Sequence, residues 1–240
     1  MSYLRALRED VVRMVITNGD LIVYAVSAAL ALTVQRYHLP AMARIIAARL
    51  EPTVGPGIAA GLVPLVARLA GAALLTGASL GAIALVHRSP QSFGLATGRP
   101  RRWLVDAGIA FAVILPLVAW SASRPAFRQI YPSFAVMREG TGWFVAGLGT
   151  RLIYMFAWEF LFRGLLLFGF ERRAGPAAAI ATSTLPFVIM HFGKPAAEIY
   201  GSAVAGIALG VIALRGRSFL PCWLLHFAAA ASLDVLTLLT

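Results

Sequence analysis

The feature that most restricts this chain is a succession of apolar runs, each close to the length of a bilayer crossing and separated by arginine-rich stretches. The runs fall at 21–35, 57–87, 105–122, 143–170, 177–191, 199–214 and 219–239. A spanning helix needs about 20 mostly apolar residues. In hydrocarbon every backbone donor and acceptor must be satisfied internally, which leaves only helices and closed barrels. A barrel would show shorter segments of alternating polarity. The expected fold is therefore all-α, a polytopic transmembrane helical bundle of about seven spans. An N-terminal interfacial helix over residues 1–19 precedes it, with Arg5, Arg8 and Arg13 on its polar side. No cleavable signal peptide is read, because no small-residue cleavage site follows the first apolar run.

Composition supports this reading. Hydrophobic residues make up 60% of the 240 and charged residues only 13%, about half the usual share of roughly 25%. The net charge of +11 comes from twenty arginines and a single lysine, Lys194. In a soluble domain such a charge points to nucleic acid. Here the arginines lie mostly between apolar runs, where they set orientation and meet anionic lipid, so the expected partners include the bilayer and no nucleic acid. Arg88, Arg99, Arg101, Arg102, Arg172, Arg173, Arg215 and Arg217 fall on the same side as the N-terminus and outweigh the opposite set, which implies a cytoplasmic N-terminus. Residues 36–57 read as a basic connector ending in turn residues, and 123–142 as a long polar one. Cys222 is the only cysteine, so there is no internal disulfide and no cysteine-based metal cluster.

Ionisable groups inside spans are costly and mark function. They are concentrated in the last hundred residues: Arg151, Glu159, Arg163, His191 and His226, with Asp234 near the end; the first half offers Arg68 and Asp106. The expected organisation is N-terminal membrane helices of unassigned role over 1–140 and a catalytic helical core over 141–240. Glu159 and Arg163 stand at i and i+4 on one helix face. Alone they read equally as a self-neutralising pair that joins helices or as part of a site. With His191 and His226 on two further helices, they supply the groups that water activation and oxyanion stabilisation need. His, His and Glu is also a catalytic zinc set. No H-E-x-x-H pairs the ligands, however, and no second carboxylate is placed to orient an imidazole, so no metal or cofactor is expected. The span boundaries put Glu159 mid-helix, His191 near the outer end and His226 nearer the inner end, so convergence requires a tilted fifth helix or boundaries moved by a turn. Asp234 reads as a solvated helix-end carboxylate, Glu198 and Lys194 as caps of the sixth helix, and Gly201, Gly206 and Gly210 as a close-packing face.

Three segments carry a resemblance: WEFLFR at Trp158 to Arg163, FVIMH at Phe187 to His191, and HFAAA at His226 to Ala230. They resemble the motifs E-E-x-x-x-R, F-x-x-x-H and H-x-x-x-N of the CPBP family, the CAAX proteases and bacteriocin-processing enzymes also called ABI, on three separate transmembrane helices. The resemblance implies an intramembrane glutamate-type, metal-independent endopeptidase. In it Glu159 with His191 activates water, Arg163 keeps Glu159 charged and oriented, and His226 stabilises the tetrahedral oxyanion. The implied substrate is a membrane-associated peptide or protein, cut at a tail or leader near the bilayer. The implied location is the bacterial inner (plasma) membrane. The preference for arginine over lysine suits a GC-rich bacterial gene and a leader or sorting tail rather than a prenylated C-terminus. Two positions depart from the pattern. Trp158 stands at the first Glu of the first motif, and Ala230 at the polar end of the third. One residue along a helix turns a side chain by about 100°, so Glu159 does not fall where the missing carboxylate would. These departures keep open a non-catalytic membrane binding or immunity protein on the same scaffold.

Overall fold

A computed structural model describes residues 3–239, and all regular structure among them is helical. Met1 and Ser2, the start of the expected interfacial helix, and Thr240, the end of the expected core, lie outside the described residues. Helix α1 (Tyr3–Thr33) is broken at Asn18, whose φ of −117° and ψ of 22° are not helical. The break separates an amphipathic stretch, with Leu7, Val11, Val12 and Ile16 exposed, from the first span. Exposed apolar residues interleaved with arginines suit a helix lying at the membrane surface.

A π-helical turn (Val34–His38) carries α1 into α2 (Leu39–Val54). The connector expected over 36–57 is therefore helical for most of its length. Its Ala, Arg, Ile and Leu are helix formers or tolerated there, and Pro40 sits in the first turn, where a missing N–H breaks no intrahelical bond. Gly55 adopts φ 84°, and Pro56 then opens α3 (Pro56–Leu85). Only glycine takes that backbone conformation without strain. The remaining helices are α4 (Pro100–Ala122), α5 (Pro125–Arg128), α6 (Thr141–Glu159), α7 (Gly169–Ile189), α8 (Ala196–Gly216) and α9 (Leu220–Leu239), with a nine-residue π helix (Phe160–Phe168) joining α6 to α7.

This is an integral membrane bundle with, among the described residues, six helical runs long and apolar enough to cross a bilayer. One of them, Thr141–Ile189, is divided by the same Gly-Pro device: Gly175 has φ 80° and Pro176 follows. Beyond that break α7 packs back on the π helix and on α8. The run thus forms two legs, which reconciles six runs with about seven expected spans. It is also the centre of the molecule, 78% buried over its most apolar stretch, against 6% for α4. Every residue of the π helix is buried, as expected of a helix that is apolar all round. Helix α3 packs on α6 and, along its length, on α1 and α2, while α9 lies against both α4 and α6. Helix α4 is peripheral and turns Val105, Ile109, Val113 and Leu117 outward.

The two ends of the bundle differ. At one end arginines meet carboxylates in partly exposed pairs: Arg173 with Asp20 at 2.9 Å, Arg215 with Asp106 at 2.9 Å, and Arg217 with Glu171 at 2.7 Å. Such solvent-screened pairs add little to stability. The loop after α3 is fastened here by backbone bonds, from Phe219 N–H to the Gly94 carbonyl and from Arg99 N–H to the Gly216 carbonyl. At the opposite end the connector between α4 and α6 is bound over the helix ends. The Ser133 amide and hydroxyl donate to Asp234, which also pairs with Arg151 at 2.5 Å. The Tyr131 hydroxyl donates to Glu198 at 2.7 Å and accepts from Lys194 at 2.9 Å. Burial lowers the Lys194 ammonium below its ordinary pKa and raises the Tyr131 phenol well above its own, so the phenol keeps its proton for Glu198.

Asp234 is fully buried, which corrects the expectation of a solvated carboxylate. A charge at that depth requires a partner, and Arg151 supplies one.

The small-residue face packs closely at Gly206 and Gly210 but not at Gly201. A Cβ on Gly206 would lie 2.5 Å from the Thr184 methyl on α7, whereas one on Gly201 would meet nothing within 4 Å. Gly206→Ala is accordingly expected to lower stability by roughly 1–3 kcal/mol through overpacking. Gly201→Ala should be neutral or slightly stabilising through helix propensity. Thermal unfolding of the purified protein in detergent compares the two, and equal midpoints would contradict the packing described.

Candidate active site

The side chains in question are presented by α6 with the π helix, by the end of α7 and by α9. Glu159 closes α6, and Arg163 follows one turn into the π helix, both completely buried. π-helical segments are rare and concentrate at functional positions. Arg163 Nη1 lies 3.2 Å from Glu159 Oε2 and 3.4 Å from Oε1. Its Nη2 donates to the Gly206 carbonyl on α8 at 3.3 Å, and its guanidinium carbon sits 4.2 Å from the centre of the Phe187 ring. The charged pair is thus held by α8 and α7 as well as by its own helix.

His226, a turn and a half into α9, places Nδ1 2.6 Å from Glu159 Oε1. A carboxylate beside a guanidinium only accepts, so Nδ1 carries the proton and Nε2 is the ring nitrogen left to act. His191 follows the end of α7. Its Nδ1 donates to the Phe187 carbonyl at 2.7 Å, which again leaves Nε2 as the working nitrogen. The structure therefore brings Glu159, Arg163 and His226 into direct contact, while His191 is bonded to backbone. The Phe187 ring is the common neighbour: His191 lies 4.6 Å from it and His226 5.7 Å, centre to centre. Phe187 and His191 stand four residues apart, so one helix turn sets the His191 ring and the Phe187 ring side by side.

Trp158 packs at the same place. Its ring lies 5.0 Å from Phe162, 6.3 Å from Phe187 and 6.4 Å from His191. The position that departs from the expected motif is thus an aromatic wall of the histidine site. Ala230 is an unhydrogen-bonding side chain one turn beyond His226 on α9. Cys222 is buried and donates Sγ–H to the Leu209 carbonyl at 3.1 Å, in keeping with an inert packing residue. Among the described residues, no group of three His, Cys, Asp or Glu side chains is gathered as metal ligands.

Sequence reasoning did not find the Gly206 carbonyl as a partner of Arg163, nor the ring of Phe187 as the hub. The first leaves no signal in residue type, because the donor meets backbone. The second was visible as the Phe of F-x-x-x-H, but its role depends on how three helices cross.

Residues 140–232 match the model of the family described as type II CAAX prenyl endopeptidase Rce1-like. That stretch holds all three quoted motifs, and the match accords with the CPBP resemblance; the family is one of proteases. No curated protein and no solved structure matches the chain.

Removing either member of a buried charge pair leaves the other uncompensated, at a cost of about 3–5 kcal/mol. Arg163→Met should therefore destabilise the bundle by that amount. The double change Arg163→Met with Glu159→Met should recover much of the loss, since both charges are gone. Unfolding in detergent of the two single variants and the double variant measures this. Additive losses would show that the two charges do not depend on each other.

Proposed function

Proceeding from an Rce1-like core over residues 140–232, we propose that this protein is an intramembrane endopeptidase that cleaves a peptide tail or leader near the bilayer with water activated by glutamate and histidine. The observation that carries the reading is the 2.6 Å hydrogen bond between Glu159 and His226 on different helices, with a second imidazole across the Phe187 ring. Charges and imidazoles are costly at that depth, and membrane proteins that keep them generally use them.

The chemistry divides among the residues as follows. Neutral His191, with Nδ1–H tied to the Phe187 carbonyl, offers a lone pair at Nε2 to take a proton from water. Glu159 Oε2, ion-paired with Arg163 at 3.2 Å but without a hydrogen bond of its own, holds the other hydrogen of the same water. As the water oxygen bonds to the scissile carbonyl carbon, the carbonyl electron pair moves onto oxygen. His226, held by Glu159 through Nδ1 and acting as imidazolium, donates from Nε2 to that oxygen. Arg163 keeps Glu159 ionised and fixes its plane. On collapse the carbon–nitrogen bond breaks, and the amine nitrogen takes the proton back from His191. The four residues Glu159, Arg163, His191 and His226 are the proposed site, on a core of 141–240 carried by membrane helices 1–140 of unassigned role.

The arginine distribution supports a cytoplasmic N-terminus in a bacterial inner membrane. The preference for arginine over lysine, which suits a GC-rich bacterial gene, favours a leader or sorting tail over a prenylated C-terminus.

One observation favours the alternative, a non-catalytic membrane protein that binds a partner or confers immunity. Glu159 is sealed from solvent with Oε1 engaged by both Arg163 and His226, as a purely structural knot would be. A cleavage assay on purified protein in detergent with candidate leader and tail peptides separates the readings. Glu159→Gln, His191→Ala and His226→Ala should each lower the rate by about 10²–10⁴, and a chelator should leave the wild-type rate unchanged. Cleavage that survives all three substitutions refutes the proposed mechanism, and loss of activity with chelator refutes its metal independence.

A further inference from the structure

We infer that Trp158 is a catalytic residue of this site: its indole Nε1–H donates a hydrogen bond to the scissile carbonyl oxygen as negative charge develops there. The inference rests on the peptidase reading above and deepens it. Three observations carry it. The side chain is only 6% exposed. Its Nε1–H is buried and has no hydrogen-bond partner. The ring stands edge to face with His191 at 6.4 Å and shares the Phe187 ring with both imidazoles.

Buried tryptophan N–H groups nearly always find an acceptor, and an orphaned one calls for an explanation. The half-buried Trp223 shows the usual pattern, its Nε1–H donating to the Leu152 carbonyl at 2.9 Å. Packing accounts for the Trp158 ring but not for an indole at a position where phenylalanine would fill the wall without an unpaired donor. The chemistry of the site supplies the acceptor. Oxyanion stabilisation needs fixed donors, and the third motif ends in Ala230, which has none to give. A donor with no ground-state partner is also suited to the task, since it gains its bond only when substrate reacts.

In the step, water oxygen bonds to the carbonyl carbon while one water proton passes to His191 Nε2. The carbonyl π pair becomes a lone pair on oxygen, which accepts from Trp158 Nε1–H and from His226. On collapse that pair re-forms the carbonyl, the carbon–nitrogen bond breaks, and the amine nitrogen takes the proton from His191. Trp158 donates a hydrogen bond throughout and loses no proton.

The test removes the N–H while keeping the ring. Trp158 is replaced by benzothienylalanine, whose sulfur takes the place of N–H in the same bicyclic outline, and separately by phenylalanine (Trp158→Phe). Both are compared with wild type for kcat and KM on a cleaved peptide. Both are also compared for binding of a statine-type peptide, whose tetrahedral hydroxyl stands for the oxyanion, and of the matching plain peptide. The expected result is a kcat lowered about 10²–10³-fold with KM within about twofold and, for the benzothienylalanine variant, an unchanged unfolding midpoint. Loss of affinity should be confined to the statine-type peptide. Wild-type kcat in the benzothienylalanine variant overturns the inference while leaving the peptidase reading intact. A wild-type protein that neither cleaves nor prefers the statine-type peptide overturns both.

Discussion

Two opposite charges enclosed together at the centre of an apolar bundle are the condition on which the rest of this structure depends. Glu159 and Arg163 are adjacent on one helix face and both wholly removed from solvent. The desolvation cost of such a pair exceeds what mutual attraction alone returns, so each ion needs further partners. Those partners come from elsewhere in the chain: a backbone carbonyl of α8, an imidazole of α9 and an aromatic ring of α7. The charges thereby fix how three helices stand around the π helix, and the same contacts assemble the groups of the site. Structural and chemical roles are not alternatives here at the level of geometry, because one set of bonds serves both.

The bundle has different ends for the same electrostatic reason. At the arginine-rich end, pairs such as Arg173 with Asp20 and Arg217 with Glu171 are open to water and screened, so they add little stability while fastening loops. At the other end Asp234 and Arg151 are buried, and a connector is folded over them through Ser133 and Tyr131. His191 belongs to that end, next to Lys194.

Much of this was legible in the residues. Apolar runs foretold helices to within a few residues, and Gly-Pro pairs marked where they stop, as at Gly55 and Gly175. The cluster of Glu159, Arg163, His191 and His226 stood out because ionisable groups are conspicuous in apolar surroundings. The 36–57 segment reads as a basic connector ending in turn residues; the turn is there at Gly55, but the arginines and prolines before it mask good helix formers. Asp234 was misread as solvated because a carboxylate near a helix end carries no sign of the arginine eight residues before Glu159 that neutralises it.

What the sequence determined by itself is the solvent: a chain with so few charges must place its helices in lipid, and the backbone leaves it no other regular structure. It also determined which side chains are too costly there to be idle. Only the tertiary structure decided which of them touch. Glu159 bonds His226 while His191 bonds the Phe187 carbonyl, and both imidazoles pack on the Phe187 ring. Those pairings depend on the angles and depths at which helices cross. Such angles arise from the summed packing of many small contacts, to which no single motif holds the key.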